Sequence, residues 1–255
     1  MRNIRKEWDD TASAYERFNN SPDSYSYNIE WPYIQKMLPE LKGKRILDLG
    51  CGTGIFSFLL ETYGPEKIIG VDLSGEMLRI AEEKAGEKRS KAVFVSGDAA
   101  RIGEYFQEPF DFIFSSTTTH YIENLEMLFG NVERCLKHGG VGIFSVIHPV
   151  YSAQYPIEHG DAFPTDDEWN VRYLDKRMRA YVQPWIEFSS DFENHLSTSY
   201  HHTFGDYVNA ILGSGLTLQE IGEPLPPETW QKEDFERYDS FVETPTYMII
   251  KIAKL

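Results

Sequence analysis

Cysteine is scarce. The 255 residues contain only Cys51 and Cys135, too few for a disulfide framework, and both are expected as reduced thiols. Long apolar runs are missing as well: no uninterrupted segment approaches the ~20 residues of a spanning helix, so no membrane partner is expected. The opening MRNIRKEWDD turns acidic where a signal peptide would turn apolar, which points to a cytoplasmic protein. Positive charge is in deficit, with 25 Lys and Arg against 40 Asp and Glu for a net −15 and no basic run longer than two residues. Binding to nucleic acid rests on clustered cations, so none is expected. His201 and His202 are adjacent, a poor spacing for one ion, and no Cys or acid cluster accompanies them, so no metal is expected.

What is present is alternation. Residues 2–20 and 27–41 carry the spacing of two amphipathic helices, with Trp8, Ala12 and Tyr15, then Ile29, Tyr33 and Met37, as apolar ridges. Short β-branched runs follow at 45–49, 67–71, 92–95, 110–115 and 140–147, with helical patterns at 54–63, 75–88 and 124–137 between them. That order is expected of parallel strands with helical crossovers. Ser74 is a cap for the helix at 75–88, and His138-Gly139-Gly140 stops the helix that starts at 124. The rhythm then fails through a segment dense in aromatics: Tyr151, Tyr155, Phe163, Trp169, Tyr173, Tyr181, Trp185, Phe188, Phe192 and Tyr200. Regularity returns with a helix at 203–212 and strands at 216–221 and 246–252, joined by a turn-rich stretch at 222–245. The division expected is N-terminal helices at 1–42, a core at 43–149, an inserted cap at 150–202 and the rest of the core sheet at 203–255.

ILDLGCGTG, at 46–54, is a loop between the first strand and its helix, the place where an open parallel sheet receives ligands. Glycines at 50, 52 and 54 let the backbone turn sharply and admit a ligand against it, and the helix that follows points free N–H groups into the same space. The spacing is not the G-x-G-x-x-G of a dinucleotide site, and Ile55-Phe56 stands where a phosphate loop needs Lys and Ser or Thr. Asp48 beside the loop would repel a pyrophosphate and attract an ammonium or sulfonium.

DLGCGTG, Asp72 at the end of the second strand, Gly97-Asp98-Ala99 after the third and FDFIFSSTTTHYIEN at the fourth together resemble the class I S-adenosylmethionine-dependent methyltransferases. WDDTASAYERF resembles the N-terminal segment of the ubiquinone- and menaquinone-type small-molecule members. The resemblance implies an α/β fold, a doubly wound, seven-stranded, mostly parallel, Rossmann-like sheet with a terminal antiparallel strand. It implies S-adenosylmethionine as cofactor, with Gly50, Cys51 and Gly52 near its methionyl part, Asp48 near its amino group, and Tyr15 alongside. Asp72 would accept from the ribose hydroxyls, with Leu73 and Met77 beside it; Asp98 would accept from the adenine amino group and the Ala99 N–H would face the ring. Ser115 is a further candidate at the end of the fourth strand.

The acceptor side rests on residue type and position. His120 and His148 fall at carboxyl ends of strands, where a neutral imidazole could take a proton from an attacking hydroxyl or amine, so they lead as catalytic candidates. Tyr200, His201, His202 and Trp169 are candidates for binding the acceptor, and the aromatic cap is either a lid over it or a small core of its own. The function expected is methyl transfer to a small-molecule acceptor by in-line displacement. Two alternatives stay open: a protein that holds the cofactor without chemistry, and, against the glycine spacing, a nicotinamide-dependent oxidoreductase.

Overall fold

A seven-stranded sheet with the order β3-β2-β1-β4-β5-β9-β8 forms the centre of the computed structural model, which describes residues 3–155, 157, 171–183, 185 and 196–255. Its first five strands are β1 (Arg45–Leu49), β2 (Lys67–Asp72), β3 (Val93–Ser96), β4 (Phe110–Ser116) and β5 (Leu136–Ile147). They pair in parallel, because the connection from each to the next crosses over and brings the chain back to the same end of the sheet. The crossover helices are α3 (Ile55–Glu61), α4 (Gly75–Lys88) and α5 (Leu125–Cys135), supplemented by a 3₁₀ turn at Ala99–Glu104. The strands read as nearly unbroken apolar runs, since helices cover both faces of the sheet. Leu47, Leu49, Val71, Ile113 and Phe144 pack with α5 on one side, while Ile46, Phe112 and Phe114 pack with α3 on the other.

The order reverses between β1 and β4, so their carboxyl ends splay and leave a crevice. Two helices close over it. The first, α1 (Ile4–Asn19), is capped by Asn3; the second starts as a π turn at Ser26–Glu30 and continues as α2 (Trp31–Met37). Asp9 of α1 accepts from the Ser74 hydroxyl at 2.6 Å and from the Glu76 N–H at 3.2 Å, at the N-terminus of α4. An ion pair of 2.7 Å between Lys84 and Glu16 fastens the same two helices further along.

After β5 come α6 (Pro149–Ser152) and a two-stranded antiparallel sheet of β6 (Arg179–Val182) and β7 (Leu196–Ser199). Arg179 is fully buried there and donates to the carbonyls of Ser152, Arg172, Arg177 and Asp175, gathering the described parts of the segment around one guanidinium. Glu7 of α1 accepts from the N–H and hydroxyl of Thr198, so the small sheet and α1 are pinned together. The chain re-enters the main sheet through α7 (Phe204–Gly213), β8 (Thr217–Gly222), α8 (Glu228–Glu233), α9 (Phe235–Glu243) and β9 (Tyr247–Ala253). β9 is antiparallel to both neighbours. No helix among the described residues is long and apolar enough to cross a membrane.

Three local expectations fail for physical reasons. The stretch 222–245 is not turn-rich throughout but holds α8 and α9, which share Asp234 as boundary and cap. The helix expected to run to residue 137 ends at Cys135, and the strand starts at Leu136 rather than 140; the pairing skips from Phe110 with Leu136 to Phe112 with Val141, so the His-Gly-Gly stretch is a bulge inside a strand. The second N-terminal helix opens with a π turn, which rotates Glu30 toward the crevice.

Candidate active site

The glycine loop is held from behind. The N–H groups of Gly50 and Cys51 both donate to the Val71 carbonyl, at 2.7 and 3.0 Å, and the Gly52 N–H donates to Asp72 Oδ2 at 2.8 Å. These donors are spent on the end of β2 rather than aimed at a ligand, and what the loop offers the crevice is bare Cα surface. Gly50, Gly52 and Gly54 all have positive φ. A methyl group added at Gly52 would meet nothing closer than Tyr15 at 3.7 Å and Met77 at 3.9 Å, which is open space in front of a loop.

Two cavities occupy the crevice. The first, about 740 Å³, is bounded by the loop, by Val71, Asp72 and Leu73 from the end of β2, by Gly97 and Ala99 after β3, by Met77 of α4 and by Ile4, Trp8 and Tyr15 of α1. The second, about 610 Å³, is bounded by aromatic rings of α1, α6, β6 and β9, together with Glu30 and His120. Trp8, Tyr15, Thr117 and Tyr121 belong to both walls. Trp8 packs edge-on against Tyr15 at 5.6 Å and against Tyr121 at 5.5 Å, and stacks on Trp185 at 5.4 Å. Thr117 has φ +48, a left-handed conformation that a β-branched side chain adopts only under constraint; its N–H is tied to the Ser145 carbonyl at 2.8 Å. The strained residue sits at the junction of the two spaces.

Several sequence candidates line the first cavity: Tyr15, Gly50, Gly52, Asp72, Leu73, Met77 and Ala99. Asp72 accepts one backbone N–H on each oxygen, from Gly52 and from Ser74, both at 2.8 Å. Burial raises its pKa, and those two donors with the Leu73 N–H pull it back. The other four candidates on this side do not reach the cavity wall. Asp48 is 1% exposed and accepts from Ser57 of α3 at 2.6 Å, so it braces the loop from beneath. Cys51 packs its buried thiol with Leu78, Ala81 and Phe94, and burial pushes that thiol well up. Ser115 donates to the Leu49 carbonyl at 2.9 Å, tying β4 to β1. Asp98 caps the 3₁₀ turn by accepting from the Ala100 N–H at 2.9 Å.

The histidines divide. His120 lines the second cavity, and its buried Nδ1 has no partner among the described residues. Burial first, and His202 second, lower its pKa to about 3, so the ring stays neutral at ordinary pH. His148 is placed elsewhere: Nδ1 accepts from the Val150 N–H at 3.1 Å, Nε2 meets Glu223 at 3.0 Å, and it borders neither cavity. His201 is likewise committed, to the Ser152 hydroxyl and the Tyr173 carbonyl, both at 2.8 Å. His202 donates to the Ile122 carbonyl at 2.8 Å. Tyr200, His201 and His202 border an outer groove with Lys176 and Asp206, separate from the crevice, and Trp169 lies outside the described residues. Strand ends were the right neighbourhood; local hydrogen bonds turned most of these rings away.

Sequence reasoning missed Glu30, Ser116 and Thr118. Glu30 is 1% exposed and accepts from Ser116 at 2.7 Å, Ser145 at 2.6 Å and Ser26 at 3.2 Å. Its one signal was an acid directly beside the apolar ridge residue Ile29.

Burial pushes the Asp48 carboxyl up to about 7, with the Asp72 charge adding to the rise and the Ser57 hydroxyl opposing it. The unfolded chain would release that proton near the ordinary value of 3.8, so between these limits the folded state holds more protons. Stability from this group is therefore present below about pH 4 and lost as pH rises through about 7. In Asp48→Asn the Ser57 bond survives and the titration does not. Thermal melts from pH 4.5 to 8 should show the variant gaining on the parent as pH rises, by about 3 kcal/mol or roughly 6 °C; parallel curves would remove Asp48 as their cause.

Residues 47–144 match the family model described as a methyltransferase domain. The chain is 29% identical over 250 residues to an uncharacterized protein of Haemophilus influenzae, covering 97% of this chain and 95% of that one. It is 29% identical over 199 residues to a demethylmenaquinone methyltransferase of Lactococcus lactis, covering 74% and 75%. Among solved structures, an S-adenosylmethionine-dependent methyltransferase of Mesorhizobium loti superposes with a TM-score of 0.68 at 28% identity, covering 88% of this chain and 96% of that one.

Proposed function

From the premise that the chain belongs to the S-adenosylmethionine-dependent methyltransferases and takes S-adenosylmethionine as methyl donor, we propose that it methylates a small molecule held in the second cavity. The observation that carries this reading is the shared wall: two cavities of unlike chemistry meet at Trp8, Tyr15, Thr117 and Tyr121. A donor and an acceptor need such a junction and a single-ligand sensor does not. The Lactococcus lactis relative, a demethylmenaquinone methyltransferase by name, supports a small-molecule acceptor. So does the net charge of −15, which disfavours nucleic acid and suits a soluble protein of the cytoplasm.

The residues of the first cavity fit the cofactor. Each Asp72 oxygen keeps lone-pair capacity beyond its backbone donor, suited to ribose hydroxyls, and the space before Gly52 admits a chain against the backbone. Met77 and Leu73 supply apolar walls and Ala99 a backbone edge for a flat ring. When bound, the cofactor supplies a methyl carbon already activated on a sulfonium. What remains for the chain is to bind, to align and to exclude water. Trp8, Tyr15 and Tyr121 do the last of these, and the described residues Tyr151, Tyr155, Tyr181 and Gln183 serve as a cover of the acceptor cavity. His120 is a neutral acceptor facing that cavity rather than a strong base.

Titration of the pure protein with S-adenosylhomocysteine and, separately, with NADH tests the first cavity: micromolar binding of the former and none of the latter is expected. Trp8→Ala should then reduce transfer of a tritiated methyl group to extract metabolites at least tenfold while weakening S-adenosylhomocysteine less, by about threefold or roughly 0.7 kcal/mol. Equal losses in both would mean that Trp8 serves the first cavity alone.

A further inference from the structure

Among the described residues bordering the second cavity there is no lysine or arginine, and there is one carboxylate, Glu30. Three hydroxyls hold it, drawn from three elements: Ser26 in its own π turn, Ser116 ending β4 and Ser145 in β5. Hydroxyls satisfy a carboxylate without neutralising it. Oε1 takes two close donors, whereas Oε2 takes only Ser26, at 3.2 Å, and keeps room for another. Burial raises the Glu30 pKa and the three hydroxyls lower it. Around it stand the rings of Tyr15, Tyr25, Tyr151 and Tyr247, and burial raises the pKa of the Tyr15, Tyr151 and Tyr247 hydroxyls. The indole N–H of Trp185 and Nδ1 of His120 border the same space, buried and without partners among the described residues. A packed core has no use for an uncompensated carboxylate beside two orphaned polar atoms.

We propose that Glu30 and the rings around it form the binding site for a protonated primary or secondary amine on an apolar body, and that this amine is the methyl acceptor. The proposal rests on the reading of the second cavity as the acceptor site. Ring faces attract an ammonium and a buried carboxylate strengthens the attraction, while an anionic acceptor would meet like charge with no cation to offset it. An ammonium must also give up a proton before its nitrogen has a lone pair to attack with; that proton passes from nitrogen to Oε2, leaving a neutral amine and a neutral acid.

The test uses the full chain saturated with S-adenosylhomocysteine and three probes of one shape, phenethylamine, 2-phenylethanol and 3-phenylpropanoate, titrated in a calorimeter at pH 7.5. The amine is expected to bind at least about tenfold more tightly than the alcohol, with no binding of the carboxylate. In Glu30→Gln the amine should fall to the level of the alcohol while S-adenosylhomocysteine stays within about twofold, because Glu30 does not border the first cavity. Equal affinity for amine and alcohol in the parent protein, or tighter binding of the carboxylate, overturns the proposal without recourse to a variant. So does a Glu30→Gln protein that keeps the preference, or one that loses affinity only for S-adenosylmethionine relative to S-adenosylhomocysteine, which would make Glu30 a counter-ion to the sulfonium. Failure of the parent protein to bind S-adenosylhomocysteine would instead sink the reading of the first cavity.

Discussion

Gly50→Ala should lose most of its S-adenosylhomocysteine affinity, more than about 100-fold, and melt about 6–12 °C below the parent, whereas Gly52→Ala should melt only about 2–4 °C below it. Both glycines have positive φ, +67 and +53, so both substitutions carry the left-handed penalty of about 1–2 kcal/mol. What separates them is space. A Cβ at Gly50 would stand 1.9 Å from Thr118 Oγ1, 2.4 Å from its Cγ2 and 2.6 Å from its Cβ, and the last of these cannot be relieved by rotating the side chain. Overpacking of that kind adds about 1–3 kcal/mol, and the loop must move off the end of β4. At Gly52 the nearest atom is 3.7 Å away, so the new methyl adds no clash to that backbone penalty and intrudes only on whatever fills the cavity. Gly52→Ala should therefore weaken S-adenosylhomocysteine with a small change in melting. Adding Thr118→Gly to Gly50→Ala should recover the steric part and leave the backbone part, a coupling that a double-mutant cycle reads directly. Additive losses would show that the loop fails for another reason.

The contrast also indicates what was legible. The glycine loop, the acid closing β2 and the succession of strands and helices around them could be read because each is local: period, turn chemistry and a cap such as Ser74 fix α4 at 75–88, the bounds the sequence suggested. α9 escaped because it is only nine residues long and its ridge of Phe235, Tyr238 and Phe241 is only partly buried, and α8 because three prolines at 224, 226 and 227 announce turns before it. The proposed acceptor side is a long-range product. Glu30 meets serines 86 and 115 residues away, which no window of sequence brings together, and without them it reads as an ordinary polar face of a helix. Histidine misled in the opposite direction: His148 and His201 have a fitting residue type near strand ends, but a carboxylate and an N–H group claim the ring nitrogens of the first, and a hydroxyl and a carbonyl those of the second. Fold follows from patterns that repeat, while a site depends on which partners remain unclaimed.

Asp72→Asn should weaken S-adenosylhomocysteine by about 3–4 kcal/mol, a loss of several hundredfold, although the substitution changes almost no volume. Two separate debits combine. In the free protein Oδ2 accepts from Gly52 and Oδ1 from Ser74, each at 2.8 Å, so whichever position the amide NH₂ takes, one backbone N–H faces another donor. A bond to a charged acceptor is worth about 1.5–3 kcal/mol, and losing this one frees the front of the glycine loop or the start of α4. The second debit falls on the ligand, because the same amide presents a donor where a ribose hydroxyl needs an acceptor. A further consequence distinguishes lost charge from lost shape: the Asp72 charge helps to raise the Asp48 pKa, so its removal should bring the Asp48 titration down from about 7 and move the pH-dependent part of the melting curve with it. Calorimetry showing affinity within threefold of the parent would remove Asp72 from the ligand's partners. An unmoved Asp48 titration would show that burial alone holds that carboxyl up.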